Sequence, residues 1–575
     1  MLENKMQTVK SNIKQVFETV KNRVIQEHRP LLILTLLFLV NVFLFKYKMT
    51  ELYMDFGKEA YLSKAVLDGG VIYKDLLPLF GPFAYLFNAV VMKIFGVHLT
   101  VLYLAGALNA YFLMVLLYII SRNFLSKTIS TLICIFVLYN CAFVPHLMNY
   151  LTPYSYGVVY GMSAVMLSVV LFLNYLKTNN KAPMYLSLLF AGVAAANKYD
   201  FFVYGAFVLF YCVFKNRNPK TFALSVLSLA AVPLIITAFL FMQGLTFTEF
   251  FNYVVFWLKF ASSSDIKDYY TGPFYFSLNY FLVMLKSLGV SLALFAAIFN
   301  IIKLFEKIKI AALKYTFYGL LCAGLYFLAY KFNIFVLMNI PNSLTFVVSI
   351  LLIVKIKDII KNEAVFFLCA SAILVGIKTY FYLLMNQYGR YFLPLLLVSL
   401  LVVLFDFYFK EKTKPYLKNT VIIMLVLMSV LRLVVSNELF EVRTAKIQTD
   451  TGIVLREGPD AQVYNSIIRT IDLITDKNDT VVALPEAPLI NFLTGRKSDT
   501  YNYLIPVIIR LYGEQNIINH YKNTAPEAFV ILTDENDQGA FCRSWGMGIC
   551  SWVGQNYRIV QTIKADKLIL ILQKI

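Results

Sequence analysis

Asp55, Glu59, Asp68 and Asp75 stand in one segment, residues 53–96, between two long apolar runs at 31–45 and 99–120. Hydrocarbon does not accommodate carboxylates, so the segment belongs to a loop, residues 46–98, on one side of a bilayer. Loops of that length usually carry function. A carboxylate held there can accept a proton from a hydroxyl nucleophile, and Asp55, about ten residues past the first apolar run, is best placed to do so. Asp68 precedes Gly69-Gly70 and reads as a turn former; Asp75, after Tyr73, reads as a turn residue, an acceptor-orienting group or a metal ligand. Carboxylates in this loop permit a divalent metal ion, but no spacing among them demands one. Two cations complete the set. Lys198 in AAANKYDFF and Arg390 in NQYGRYFLP stand where apolar runs meet an aqueous interface, and such cations take an anionic partner, either an acidic side chain or a phosphate. His146, Asn149, Tyr150, Thr152 and Tyr154 cluster in PHLMNYLTPYSYG on the same side. Polar residues at helix ends can simply cap or anchor them, but together these groups outline a site.

The elements that must position them are membrane helices. Of the 575 residues, 59% are hydrophobic and 15% charged, and the mean hydropathy is +0.68, which describes an integral membrane protein. About thirteen apolar runs are long enough to count as spans, centred near residues 38, 109, 137, 167, 190, 207, 231, 290, 320, 349, 373, 400 and 427. The run at 83–95 is apolar and aromatic but short and contains Lys93, so it reads as an interfacial helix. Residues 1–30 form a basic N-terminus, followed by a retained first transmembrane helix rather than a cleaved signal peptide.

Lys and Arg set the orientation. With a cytoplasmic N-terminus, one set of loops collects Arg122 and Lys127, Lys177 and Lys181, Lys215, Arg217 and Lys220, Lys303 to Lys314, Lys355 to Lys361, and Lys410 to Lys418. The opposite loops, apart from the long first one, hold scattered cations such as Lys198, Lys259, Lys267, Lys331 and Arg390. The loop with Asp55 therefore faces outward, as does everything after residue 436, which places a plasma (inner) membrane protein with an extracytoplasmic site. The formal net charge of +19 follows from this topology and the anionic inner leaflet, with no nucleic acid needed. Within the spans, Lys286 and Lys378 are the cations to be placed, neither with an acidic partner nearby in sequence.

After residue 436 the pattern changes to strand-like runs at 480–484, 528–532 and 568–572, alternating with amphipathic helical stretches at 462–475 and 505–519. Residues 436–575 thus form an α/β domain large enough for its own core, with 31–435 as the transmembrane domain. Such a domain most simply caps or extends a site at the membrane surface. Five of the seven cysteines fall in or near apolar runs; Cys542 and Cys550 lie in the outward tail, where a disulfide is permitted.

A family resemblance rests on a combination of motifs. The first loop has an early Asp55, then Gly70-Val71-Ile72-Tyr73-Lys74-Asp75, then Gly81-Pro82 and an aromatic-apolar run ending in Phe95-Gly96. It is joined by Thr152-Pro153-Tyr154, the Ala-rich helix ending at Lys198, Arg390-Tyr391-Phe392-Leu393-Pro394 and LPEAPLINFLTGR at 484–496. The chain resembles the GT-C glycosyltransferases, nearest to bacterial relatives of protein O-mannosyltransferases and the aminoarabinose transferase of lipid A. The relatives typically carry an Asp-Glu pair at the start of this loop; here Asp55 is followed by Phe56, with Glu59 four residues on, so the acceptor class stays open.

The resemblance implies an inverting hexosyl or pentosyl transfer from a polyprenyl-phosphate sugar to a hydroxyl of a glycan, lipid or protein acceptor. Asp55 would be the general base. Arg390 first and Lys198 second would bind the donor phosphate, while Asp75, Glu59, Tyr73, His146, Asn149 and Tyr154 would bind acceptor or sugar. A transporter or flippase of lipid-linked saccharides, or a non-catalytic binder, is the alternative. The chain shows no clear internal repeat, and its polar residues gather on one face, which favours interfacial chemistry.

Overall fold

The computed structural model describes residues 27–52, 55–265, 278–331, 340–380, 388–499, 505–533, 535–536, 539–565 and 568–575. Most of the basic N-terminus, Tyr53, Lys267 and Gln387 lie outside the described residues. The protein is a helical polytopic membrane protein with a C-terminal α/β domain. Each expected apolar centre falls in a helix or its direct continuation. Among the described residues, six helices are long and apolar enough to cross a membrane: Leu99–Arg122, Tyr156–Thr178, Pro219–Met242, Phe281–Phe305, Ala311–Lys331 and Lys414–Glu441. Six shorter apolar helices of 10–17 residues accompany them. Tyr156–Thr178 is enclosed almost all round, whereas Pro219–Met242 and Ala311–Lys331 leave most of their apolar surface outward, as lipid-facing helices do.

Two helices of the first loop lie between the spans. Asp55–Leu67 opens with Asp55 in its first turn, where a carboxylate suits the helix dipole, and ends with Lys64. Asp68 pairs with Lys64 at the exit, and Gly69 takes the left-handed conformation (φ +101°) that lets the chain turn. Phe56 to Ser63 are all buried, so the middle of this helix is enclosed on every side while Asp55 at its start stays partly exposed. The expected interfacial helix spans Phe83–Phe95 and leaves Phe87, Val90, Ile94 and Phe95 exposed.

The C-terminal domain is built on a four-stranded sheet in the order Val481–Leu484, Ala528–Thr533, Leu568–Lys574, Tyr557–Lys564, the first pair parallel and the others antiparallel. Strands at 480–484, 528–532 and 568–572 form nearly as the alternation predicts. The helical stretch at 505–519 is divided by Gly513 (φ +80°) into Ile505–Tyr512 and Glu514–Thr524. Cys542 and Cys550 are disulfide-bonded.

This domain is not tethered loosely. The hairpin Ala445–Thr449/Gly452–Arg456 bonds to the membrane part through Leu99 N to Thr451 O (2.8 Å) and Leu455 N to Tyr47 O (2.9 Å), and the Tyr464 hydroxyl donates to Leu52 O (2.5 Å). One apolar cluster runs through Phe56, Ala84, Leu102 and Tyr156 of the membrane part and Ile447, Val481, Leu489 and Ile571 of the domain. Helix Pro488–Thr494 packs so closely on Asp55–Leu67 that a Cβ on Gly57 would lie 2.6 Å from Leu489 N.

Candidate active site

Asp55, Lys58 and Glu59 occupy one turn of the enclosed loop helix. Lys58 Nζ lies 3.4 Å from Asp55 Oδ1, and the Asp55 side chain keeps 23% exposure, enough to meet a substrate. Burial pushes the Asp55 carboxyl above the usual range while Lys58 pulls it back, the net being upward, as suits a proton acceptor. Glu59 is fully buried: Tyr85 donates its hydroxyl to Oε1 at 2.9 Å and Tyr156 its backbone N–H to Oε2 at 2.8 Å. Burial raises it to about 7 despite Lys58 and these donors. Glu59 therefore anchors the loop helix to the start of Tyr156–Thr178, with neither oxygen turned to a sugar.

The Lys58 ammonium lies over two rings, 5.3 Å from the centroid of Tyr154 and 5.9 Å from that of Phe80. Phe80 is also the ring under Lys198, whose ammonium is 5.1 Å away. Gly81 makes this possible: its N–H bonds Asn197 O at 3.0 Å, and a Cβ there would sit 2.1 Å from Ala196 O, so a side chain would push Phe80 off the end of helix Lys181–Asn197. The first loop and Lys198 are thus locked together by a backbone contact.

Lys198 is buried and pairs with Asp200 at 3.2 Å; Lys378 approaches the same carboxylate oxygen at 3.3 Å. Burial, then Lys378, lowers Lys198 to about 7 against the pull of Asp200. Burial opposes the Asp200 charge, but the two lysines hold that carboxyl at about 2. Sequence separation hid the partner of Lys378, which lies 178 residues away. Lys198 is consequently a partly neutralised cation, and Lys378, which has no acidic partner nearby in sequence, finds one in Asp200.

Arg390 lies in the short 3-10 turn Tyr388–Tyr391 and is 8% exposed. Its carbonyl accepts from the Tyr150 hydroxyl at 2.6 Å, and its Nη1 is buried with no hydrogen-bond partner among the described residues. Burial lowers its proton affinity, and no carboxylate is among the groups that offset this. Arg432, on helix Lys414–Glu441, acts electrostatically on the same neighbourhood: both arginines bear on His146. Arg432 is a further cation within a span, where Lys286 and Lys378 were the ones expected. Tyr391, next in sequence to Arg390, stacks with Tyr150 at 5.9 Å and lies within electrostatic reach of Asp55 and Glu59. The Arg390-Tyr391 pair therefore spans from the arginine cluster to the carboxylates.

The remaining expected residues divide. Tyr154 lines the Lys58 side. Tyr73 is buried in an aromatic wall, its hydroxyl 2.9 Å from that of Tyr199 and its ring 4.1 Å from that of Tyr253. Burial, then Arg390 and Arg432, lowers His146 to about 4, so the imidazole is neutral near pH 7, with Nδ1 accepting from Met148 N at 3.3 Å. Asn149 is spent on its own loop: its amide donates to His146 O and Thr152 O, and its oxygen accepts from Leu151 N and Thr152 N. That inward satisfaction corrects the expectation of sugar contact, since a short polar side chain in a tight buried turn bonds the nearest backbone first. Asp75 is exposed and accepts from Val71 N at 2.9 Å, closing the turn around Tyr73.

A divalent ion does not fit between Asp55 and Glu59, because Lys58 already supplies the countercharge; among the described residues no group of three or more His, Cys, Asp or Glu side chains is arranged to hold a metal. Sequence reading missed Lys58, Phe80 and Glu486. The last is carried by the C-terminal domain and acts on Lys58; the recurrence of LPEAP in the resemblance was the signal available.

Residues 78–242, which include Phe80, Gly81, the His146 to Tyr154 loop, Lys198 and Asp200, match the family described as dolichyl-phosphate-mannose-protein mannosyltransferase. Among curated proteins none matches the chain in sequence. Similar solved structures include three from two organisms. An oligosaccharyltransferase of Archaeoglobus fulgidus in complex with zinc and sulfate is 14% identical with a TM-score of 0.46, over 87% of this chain and 68% of that one. ArnT from Cupriavidus metallidurans, bound to undecaprenyl phosphate, is 12% identical with a TM-score of 0.46, over 94% and 97%. The oligosaccharyltransferase AglB from A. fulgidus, in complex with an inhibitory peptide and a dolichol-phosphate, is 13% identical with a TM-score of 0.44, over 88% and 70%.

Proposed function

We propose that this chain is a membrane glycosyltransferase that moves a hexose or pentose from a polyprenyl-phosphate donor to an acceptor hydroxyl at the extracytoplasmic face of the membrane. The observation that carries the reading is the division of charge across one site. Asp55, a partly exposed carboxylate, and Arg390, a buried guanidinium whose Nη1 has no hydrogen-bond partner among the described residues, both lie within electrostatic reach of Tyr391. Buried charge without a partner is costly, and an anionic ligand is what offsets it. The family match over residues 78–242 supports a lipid-phosphate sugar as that ligand.

In this reading the acceptor oxygen attacks the anomeric carbon while its proton passes to Asp55. The bond from that carbon to the phosphate oxygen breaks, and the electron pair leaves with the polyprenyl phosphate. Arg390 meets the growing phosphate charge, with Lys198 in support once protonated. Attack in line with the departing phosphate inverts the anomeric centre. Tyr154 and the Tyr73 wall offer faces for the sugar and acceptor. Replacing Asp55 with Asn tests the assignment against a carrier: sugar transfer should collapse while binding of the lipid donor survives. Undiminished movement of lipid-linked sugar across vesicles by that variant, with no transfer by either protein, would favour the carrier.

A further inference from the structure

Asp200 serves two lysines with one oxygen. Its Oδ2 lies 3.2 Å from Lys198 Nζ and 3.3 Å from Lys378 Nζ, so when both lysines are protonated the trio carries one positive charge in excess. Different elements pin the three backbones. The turn Tyr199–Phe201 hangs from helix Lys181–Asn197 through Lys198 N to Ala194 O at 3.0 Å, and the Tyr199 hydroxyl lies 2.9 Å from that of Tyr73. Lys378 stands in the turn Ile377–Tyr380, where the Thr379 hydroxyl donates to Gly376 O at 2.7 Å and lies 2.6 Å from that of Thr345.

Exposure divides the trio. The Lys198 side chain is 4% exposed, whereas those of Asp200 and Lys378 keep 28% and 22%. An anion arriving from the aqueous side therefore meets the carboxylate and the outer lysine first, and Asp200 must give way before it touches the inner ammonium. A largely buried carboxylate stripped of its countercharge is costly. The second ammonium at the same oxygen removes that cost, because Asp200 can leave Lys198 and stay paired with Lys378. The exchange takes place beside the proposed base: Lys198 and Lys58 share the Phe80 ring at 5.1 and 5.9 Å, and Lys58 lies 3.4 Å from Asp55. Resting on the transferase reading, we propose that Asp200 holds the place that the donor phosphate takes beside Lys198, and that Lys378 is a positioning residue that receives Asp200 when the phosphate arrives. The phosphodiester of a lipid-linked sugar brings one negative charge, which matches the excess, so phosphate and carboxylate each end with an ammonium.

The test is calorimetric titration of the full-length protein in detergent with a polyprenyl phosphate that carries no sugar. Lys378→Met should weaken binding about tenfold, since the phosphate would then leave Asp200 without a countercharge, and Lys378→Arg should retain most of the affinity. Adding Asp200→Asn to Lys378→Met should bring the affinity back to within about threefold of native, because no carboxylate then needs a new partner. Native affinity in Lys378→Met would overturn the proposal, and so would an equal loss in the double variant, which would mean that Lys378 touches the phosphate itself. In the native protein the infrared difference spectrum on binding should show the carboxylate stretch of Asp200 shifting, a band absent from Asp200→Asn. An unperturbed carboxylate would refute the exchange even where the Lys378 variants fail to fold. Inorganic phosphate should compete at much higher concentration; competition at equal concentration would make the ligand a soluble anion and overturn the donor assignment. Because the titration needs no turnover, a native protein that binds the probe with this Lys378 dependence and transfers no sugar would sink the transferase reading and leave this one standing.

Discussion

Lys58 and Lys198 share one phenyl ring: their ammonium groups stand 5.9 and 5.1 Å from the centroid of Phe80. Two cations from separate elements, each with its own carboxylate, are held near one another by a neutral π face rather than by a shared anion. Phe80→Leu keeps the apolar volume and removes that face. It should lower kcat/KM about tenfold, at a stability cost of about 1 kcal/mol, read by initial rates and thermal unfolding in detergent. Rates equal to those of the native protein would mean that the ring merely fills space.

Lys198, lowered to about 7 by burial and by Lys378, is partly neutral at physiological pH. An incoming phosphate favours its charged form, so donor binding above pH 7 should take up a proton. Below about pH 7 the charge is already present and the uptake disappears; as pH rises from 7 towards 10 the affinity should fall. Calorimetric titration of a polyprenyl phosphate in buffers of different ionisation enthalpy measures this directly, and Lys198→Met should abolish the buffer dependence.

Glu59 behaves differently because it is structural. Its carboxyl in the fold, at about 7, lies above the ordinary 4.5, so the folded chain binds this proton more tightly than the unfolded one. The stability lost to ionising it is absent below about pH 4.5 and is fully incurred as pH rises through about 7. Glu59→Gln should flatten that part of the stability profile. Glu59→Ala leaves the Tyr85 hydroxyl and Tyr156 N–H without their carboxylate acceptor and should cost about 2 kcal/mol at pH 5, where Glu59 is largely protonated.

Gly57 permits the C-terminal domain to dock, since a Cβ there would overlap the backbone of Leu489. Gly57→Val should loosen the domain, raising protease cleavage between residues 441 and 500 and lowering transfer more than tenfold, with the membrane helices intact by circular dichroism. Unchanged protease resistance would contradict the tight seam.

Asp55 and Arg390 were legible because charge is conspicuous beside apolar runs, and the helices because hydrophobic length alone specifies them. The short apolar helix Phe83–Phe95 was equally plain. What stayed hidden depended on contacts between distant residues. Lys378 finds Asp200, Glu486 acts electrostatically on Lys58 from another domain, and Arg432 passes for one cation in an apolar helix until it is seen to bear, with Arg390, on His146. Asn149 misled for the opposite reason: a polar residue in a promising loop proved to be consumed by that loop. Glu59, expected near the sugar, is an anchor because Tyr85 and Tyr156 are brought to it from far along the chain.

The most direct test is sugar release from a panel of labelled polyprenyl-phosphate sugars by the purified protein, comparing the native chain with Asp55→Asn and Arg390→Ala. We predict release from at least one donor, reduced at least about 100-fold by Asp55→Asn with donor binding kept, and reduced by Arg390→Ala with donor binding weakened. Release that persists at the native rate in both variants would contradict the assignment of base and phosphate clamp, and donor bound but never consumed by the native chain would contradict the transferase itself.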